Sequence, residues 1–119
     1  MRRAVVLRLV LPAFLALTVG PSDAAIVAVL TATVGPGATI TLKKGTVKVT
    51  TLKPGAYTIK VNDMATSHNF HLTGPGVNKS TTVAFKGMAT WTVTLKIGTY
   101  IYVCDPHKSF MKGSFTVKN

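Results

Sequence analysis

The chain has 119 residues, with one cysteine, 14 Lys or Arg and 3 Asp or Glu, a formal net charge of +11. That length suits one small domain rather than two. A single cysteine excludes an internal disulfide, a zinc site built on several thiolates and Cys-x-x-Cys-His haem attachment. The lysines are spread along the chain instead of gathered in a tract, so the charge reads as solvated faces that select an acidic protein partner, not as a nucleic-acid patch.

The first eight residues include Arg2, Arg3 and Arg8; residues 9–19 are a short apolar run, and Ser22 and Ala24 are small. These are the three regions of a secretory signal peptide. The run is far below the ~20 residues that span a bilayer, so cleavage after Ala24 is expected, with an uncleaved anchor as the alternative. The chain then divides into a leader over 1–24 and a domain over 25–119, exported to the periplasm or outside the cell. Arg2 and Arg3 alone leave the export route open. Loss of the leader leaves eleven Lys against Asp63 and Asp105, a net +9 with neutral histidines. An odd thiol in an oxidising compartment needs a role other than a disulfide, and metal ligation supplies one.

From Ala25 onward short alternating runs are broken by Gly and Pro, which predicts an all-β chain. Candidate strands cover 39–42, 47–49, 57–61, 90–95, 99–104 and 114–117, with another around 26–33. Breakers fall at 35–37, 44–45, 53–55, 74–76, 86–87 and 97–98. Seven or eight strands at this spacing suit a two-sheet sandwich. Strand parity puts Trp91, Val93 and Leu95 on one face, and Tyr100, Tyr102 and Cys104 on another, so the thiol ends a row of core aromatics. Asn78 begins an Asn-Lys-Ser sequon, a short motif of little weight.

Cys104, His107 and Met111 follow one another at Cys-x-x-His-x-x-x-Met spacing, and a further histidine lies upstream at His68. One thiolate, two imidazoles and a weak thioether are the donor set of a trigonal blue-copper centre. Parity groups His68 with the apolar Phe70 and Leu72, and groups Asn69 with His71 on the opposite face, so His68 is the inward candidate and His71 a surface or partly covered residue, with a ligand role as the alternative. Met64 and Met88 lack this context and read as packing. A cysteine nucleophile with His107 and Asn69 would need a helix N-terminus to lower the thiol pKa, and none is evident at Cys104.

The run from Lys53 to Asn62, the Ser67-His68-Asn69 step and the stretch from Gly98 to His107 resemble the cupredoxins, the small blue-copper proteins of plastocyanin type. The likeness covers most of the expected domain. It implies a two-sheet Greek-key β-sandwich and one copper ion cycling between Cu(I) and Cu(II). His68, Cys104 and His107 would be the equatorial ligands, Met111 the axial one, Pro106 part of the ligand loop, and Asn69 a tie between the two ligand-bearing segments. It implies also that His107, ringed by Pro106, Phe110 and the turn at 74–76, is the electron port. Two departures stand out: His107 and Met111 are one residue closer than in plastocyanins, and the shorter stretch between His68 and Cys104 has no acidic docking patch, so partner identity does not carry over.

The expected function is that of an exported, monomeric one-electron carrier, not an enzyme, that meets redox proteins with acidic docking surfaces and has no membrane span once the leader is gone. The alternative is a copper storage or delivery module; an interaction domain without metal is disfavoured by the intact donor set.

Overall fold

The structure, a computed structural model, describes residues 27–119. The expected leader and its cleavage point lie outside the described residues. Ten strands form: β1 (Ala28–Val34), β2 (Ile40–Lys44), β3 (Val47–Lys48), β4 (Thr51–Leu52), β5 (Gly55–Asp63), β6 (His71–Gly74), β7 (Val77–Ser80), β8 (Gly87–Leu95), β9 (Gly98–Val103) and β10 (Lys112–Val117). They make two five-stranded sheets, ordered β3-β2-β1-β5-β8 and β4-β10-β9-β6-β7. Both are mixed: β1 runs parallel to β5 and β4 parallel to β10, while the other pairs are antiparallel. Among the described residues no helix is long and apolar enough to cross a membrane.

Alternation in the sequence becomes two inner faces. In β1, Leu30, Ala32 and Val34 are fully buried, and the register sets Leu30 beside Ile59 and Ala32 beside Val61 of β5, both also fully buried. The opposing sheet contributes Leu72, Tyr100, Tyr102, Phe115 and Val117. Each such side chain contributes about 1.5–3 kcal/mol on leaving water, so this inner layer is the main support of a domain that lacks disulfides. The expected alternation in β8 holds: Val93 and Leu95 are buried, and Trp91 on the same face is partly buried and tilts against Phe70 at 6.0 Å between ring centroids.

Ten strands stand where seven or eight are expected, because β4 has two residues and β6 and β7 four each, too short to show a period. The last two form a hairpin around Pro75 and Gly76. Two glycines leave room for the aromatic row. A Cβ on Gly74 would run into the Tyr100 ring, and one on Gly113, opposite Tyr102 across β9 and β10, into that ring.

Candidate metal centre

Strand β9 delivers Cys104. Along it Tyr100, Tyr102 and Cys104 are at most 1% exposed while Ile101 between them is 48% exposed, so strand parity does aim the thiol inward. A single 3-10 turn, Asp105–His107, follows at once, with Cys104 as its N-cap and Pro106 within its first turn. Proline suits this place because its fixed φ fits the turn and it has no N–H to leave unpaired. The segment is a single 3-10 turn of three residues, not a helix whose N-terminus lies under the thiol. Backbone bonds then close the loop: the His107 amide donates to Cys104 O at 3.0 Å, the Met111 amide to His107 O at 2.8 Å and the Cys104 amide to Met111 O at 3.0 Å. His107 and Met111 are thereby held at fixed offsets from the cysteine.

His68 lies in the connection that crosses from β5 of one sheet to β6 of the other, three residues before β6. The segment 68–70 is not strand, and His68, Asn69 and Phe70 are all buried, so the parity reading places His68 correctly but fails for Asn69. Thr81 fixes this segment: the Phe70 amide donates to its Oγ1 at 2.9 Å, and its own amide donates to Phe70 O at 3.0 Å. Beneath the site Phe70 stacks on Tyr102 at 5.5 Å between centroids.

The three donors converge. Cys104 Sγ lies 3.6 Å from His68 Nδ1 and 3.5 Å from His107 Nδ1, and the two Nδ1 atoms are 3.1 Å apart. The imidazoles meet edge to face, with centroids 4.9 Å apart and planes at 72°. A point equidistant from the three atoms of that triangle lies about 2 Å from each, within the ~2.0–2.3 Å at which nitrogen and thiolate sulfur bind a first-row ion such as zinc. The set therefore fits a small, borderline-soft metal ion, and one thiolate with two imidazoles favours copper over the oxygen-preferring ions. Met111 is fully buried in the same loop. Among the described residues, the group of His, Cys and acidic side chains that could hold a metal is this one.

Around it Asn69 joins the two segments. Its Nδ2 donates to Asp105 Oδ2 at 2.7 Å and to Thr81 O at 3.2 Å, and its Oδ1 accepts the Asp105 amide at 2.7 Å. His71 is partly covered, as expected, at 25% exposure, and reaches the same carboxylate at 2.9 Å. Burial pushes the Asp105 carboxyl up, but bonds from His71 and Asn69 and the charges of His71 and Lys108 outweigh it and hold the group below its ordinary value. The same bond raises the His71 pKa, against desolvation and with help from Asn78 and the Asp105 charge. The sequence shows Asp105 directly after the cysteine, but nothing local in it ties that residue to His71 or Asn78.

His107 is partly exposed and lies 5.4 Å from the Phe110 ring, which is 61% exposed. The turn at 74–76 does not ring His107 as expected. Strand β6 starts opposite Val103 and runs antiparallel to β9, so its turn comes to the start of β9, where Tyr100 Oη donates to Pro75 O at 2.7 Å.

Residues 30–118 match the copper-binding proteins of the plastocyanin/azurin family. No curated protein matches the chain. Among solved structures, dithionite-reduced auracyanin from the photosynthetic bacterium Roseiflexus castenholzii is 21% identical, with a TM-score of 0.54 over 77% of this chain and 98% of that one. Rusticyanin from Thiobacillus ferrooxidans is 21% identical, with a TM-score of 0.52 over 76% of each chain. A mutant amicyanin in its Cu(I) form is 20% identical, with a TM-score of 0.51 over 76% of this chain and 83% of that one. At such identities the likeness is one of fold. The family match spans most of the chain and includes His68, Cys104, His107 and Met111, and the chain belongs to the plastocyanin/azurin family of copper-binding proteins.

Proposed function

We propose that the protein is an exported one-electron carrier whose copper is held by His68, Cys104 and His107, with Met111 as the axial donor. The observation that carries this reading is the triangle of two Nδ1 atoms and one Sγ, each side 3.1–3.6 Å, formed by the β5–β6 connection and the loop between β9 and β10. When bound, copper supplies a one-electron Cu(I)/Cu(II) couple. The protein's part is to keep the donors still. Cys104 is fixed by its backbone bond to Met111, His68 by the Thr81-bound segment behind it, and both by Asn69. Fixed donors leave little to rearrange when charge changes, and the apolar surroundings keep water from the sulfur.

His107 and Phe110 are the exposed end of this arrangement and form the electron port, with Pro106 beside them. Export rests on the leader pattern of residues 1–24, and intact mass of secreted protein beginning at Ala25 tests it.

Adding Cu(II) to the purified chain and recording its visible spectrum and reduction potential tests the carrier. An intense blue band and a reversible couple are expected. A pale complex, or one that holds only Cu(I), would point to storage or delivery.

A further inference from the structure

His71 is placed by the sheet beside the metal loop. It stands opposite Val103 of β9 on one side and opposite Ser80 of β7 on the other. Both ring nitrogens face oxygen: Nδ1 is 2.9 and 3.1 Å from the two carboxylate oxygens of Asp105, and Nε2 is 2.7 Å from Asn78 Oδ1. A neutral imidazole carries one N–H and can donate to only one of these partners. An imidazolium donates to both. A neutral ring fits only if the Asn78 amide turns over so that its NH2 faces Nε2.

We propose that His71 is a positioning residue for the metal centre, which as an imidazolium ties Asp105, the residue after Cys104, to Asn78 on the edge strand β7. The carboxylate it grips is the one whose backbone amide Asn69 holds, so Asp105 is fixed from two directions. Charge around His71 favours its proton. Asp105 is the acidic group facing it; Asn78, Ser80 and Val103 on the flanking strands are uncharged. The cations on those elements are Lys108 after the turn, Lys79 paired with Leu72, and Lys112 paired with Val103 one strand further on.

The redox consequence rests on the copper reading, whereas the protonation and the tie do not. As pH rises and His71 loses its proton, one of the two bonds goes and a positive charge near the loop disappears. Loss of positive charge favours the oxidised metal, so the reduction potential falls across the His71 titration.

The test uses the full-length chain with 15N-labelled histidine. Without added metal, both His71 nitrogens are expected to be protonated at about pH 6, with a midpoint above the usual ~6.5 that drops in Asp105→Asn. A His71 ring with one bare nitrogen at that pH overturns the proposal. Amide exchange at Asp105 is expected to quicken in His71→Phe and to recover in part in His71→Asn, which keeps a donor towards the carboxylate; unchanged exchange in both also overturns it. Copper-loaded wild type should then show a potential that falls through the His71 midpoint, absent in His71→Asn. Superimposed wild-type and His71→Asn profiles overturn the positioning role. If no blue copper protein forms, the copper reading fails while the nitrogen and exchange measurements still decide the tie. If His71→Phe does not fold, His71→Asn and Asp105→Asn carry the comparison.

Discussion

Asn69 and Asp105 exchange two hydrogen bonds of 2.7 Å each, the Asp105 amide donating to Asn69 Oδ1 and the Asn69 amide donating to Asp105 Oδ2. One residue follows His68 and the other follows Cys104, so this pair locks together the two loop segments that carry the donors. Asn69 is 2% exposed, and its removal leaves the Asp105 N–H without its acceptor and takes one donor from a carboxylate that His71 still holds. Asn69→Ala should cost about 1–3 kcal/mol in denaturant unfolding. Asn69→Asp should cost more at neutral pH, because it sets one carboxylate against another, and should recover as the solution is made acid. Equal stability of the two variants at neutral pH would show that the pair does not bear on the fold.

Substitution separates the donors from their supports. Cys104→Ser should abolish blue colour, since an alcohol does not supply a soft thiolate. His68→Ala should severely damage copper binding, while His71→Ala should keep the colour. Met111→Leu should keep copper but raise the reduction potential, because a weak axial sulfur stabilises Cu(II) and leucine offers none. An unchanged potential in Met111→Leu would remove Met111 from the site.

What the sequence disclosed follows from period and spacing. Tyr100, Tyr102 and Cys104 lie inward as alternation requires, because β9 is a regular six-residue strand with sheet neighbours on both sides. His68 is buried for a different reason than alternation, since 68–70 is a connecting segment in which Asn69 turns inward to bond Asp105. Period two has no hold on a residue outside a strand. The His71 tie was hidden because its partners, Asn78 and Asp105, are brought together only by the β6–β7 hairpin and the β6–β9 pairing, neither of which local pattern reveals.

Asp63 gives a contrast. It is 1% exposed at the end of β5; its Oδ1 accepts the Ala65 amide at 3.1 Å, and no described group donates to its Oδ2. Burial raises its carboxyl pKa, against the Ala65 bond and the His68 charge. An acid whose folded pKa is raised binds more protons when folded, so its contribution to stability falls as pH rises through and beyond the unfolded value near ~3.9. Asp63→Asn keeps the Ala65 acceptor without the charge. It should stabilise the metal-free chain at neutral pH by removing the buried charge, with the difference shrinking in acid. A destabilised variant at neutral pH would show that the buried charge has a partner it needs.

The His71–Asp105 pair has the opposite signs. His71 is raised, so its stabilisation is complete below its unfolded value of ~6.5 and is lost as pH rises through the folded pKa. Asp105 is lowered, so its stabilisation is present above ~3.9 and is lost as pH falls through the folded pKa. Denaturation midpoints of wild type and Asp105→Asn should therefore differ most between about pH 4 and 6.5 and converge on either side. A gap that is constant from acid to alkali would assign the effect of the variant to packing.

Charge around the port sets the last expectation. Lys108 follows the 3-10 turn and Lys112 opens β10, both exposed on either side of Phe110. Of the acids among the described residues, Asp63 is buried and Asp105 is engaged by His71 and Asn69, so little negative charge is free to offset these lysines. Exposed charges of this kind steer encounter more than they strengthen the bound state. They are screened over ~8 Å at physiological salt, so electron transfer to an acidic redox protein should slow as ionic strength rises. Lys108→Glu with Lys112→Glu should slow that transfer at low salt and leave the copper spectrum unchanged, because neither side chain is among the donors. Stopped-flow rates for wild type and double variant across a salt series decide it. Parallel, salt-independent rates would mean that the lysines only keep the domain charged and that docking is governed by the apolar contact at Phe110.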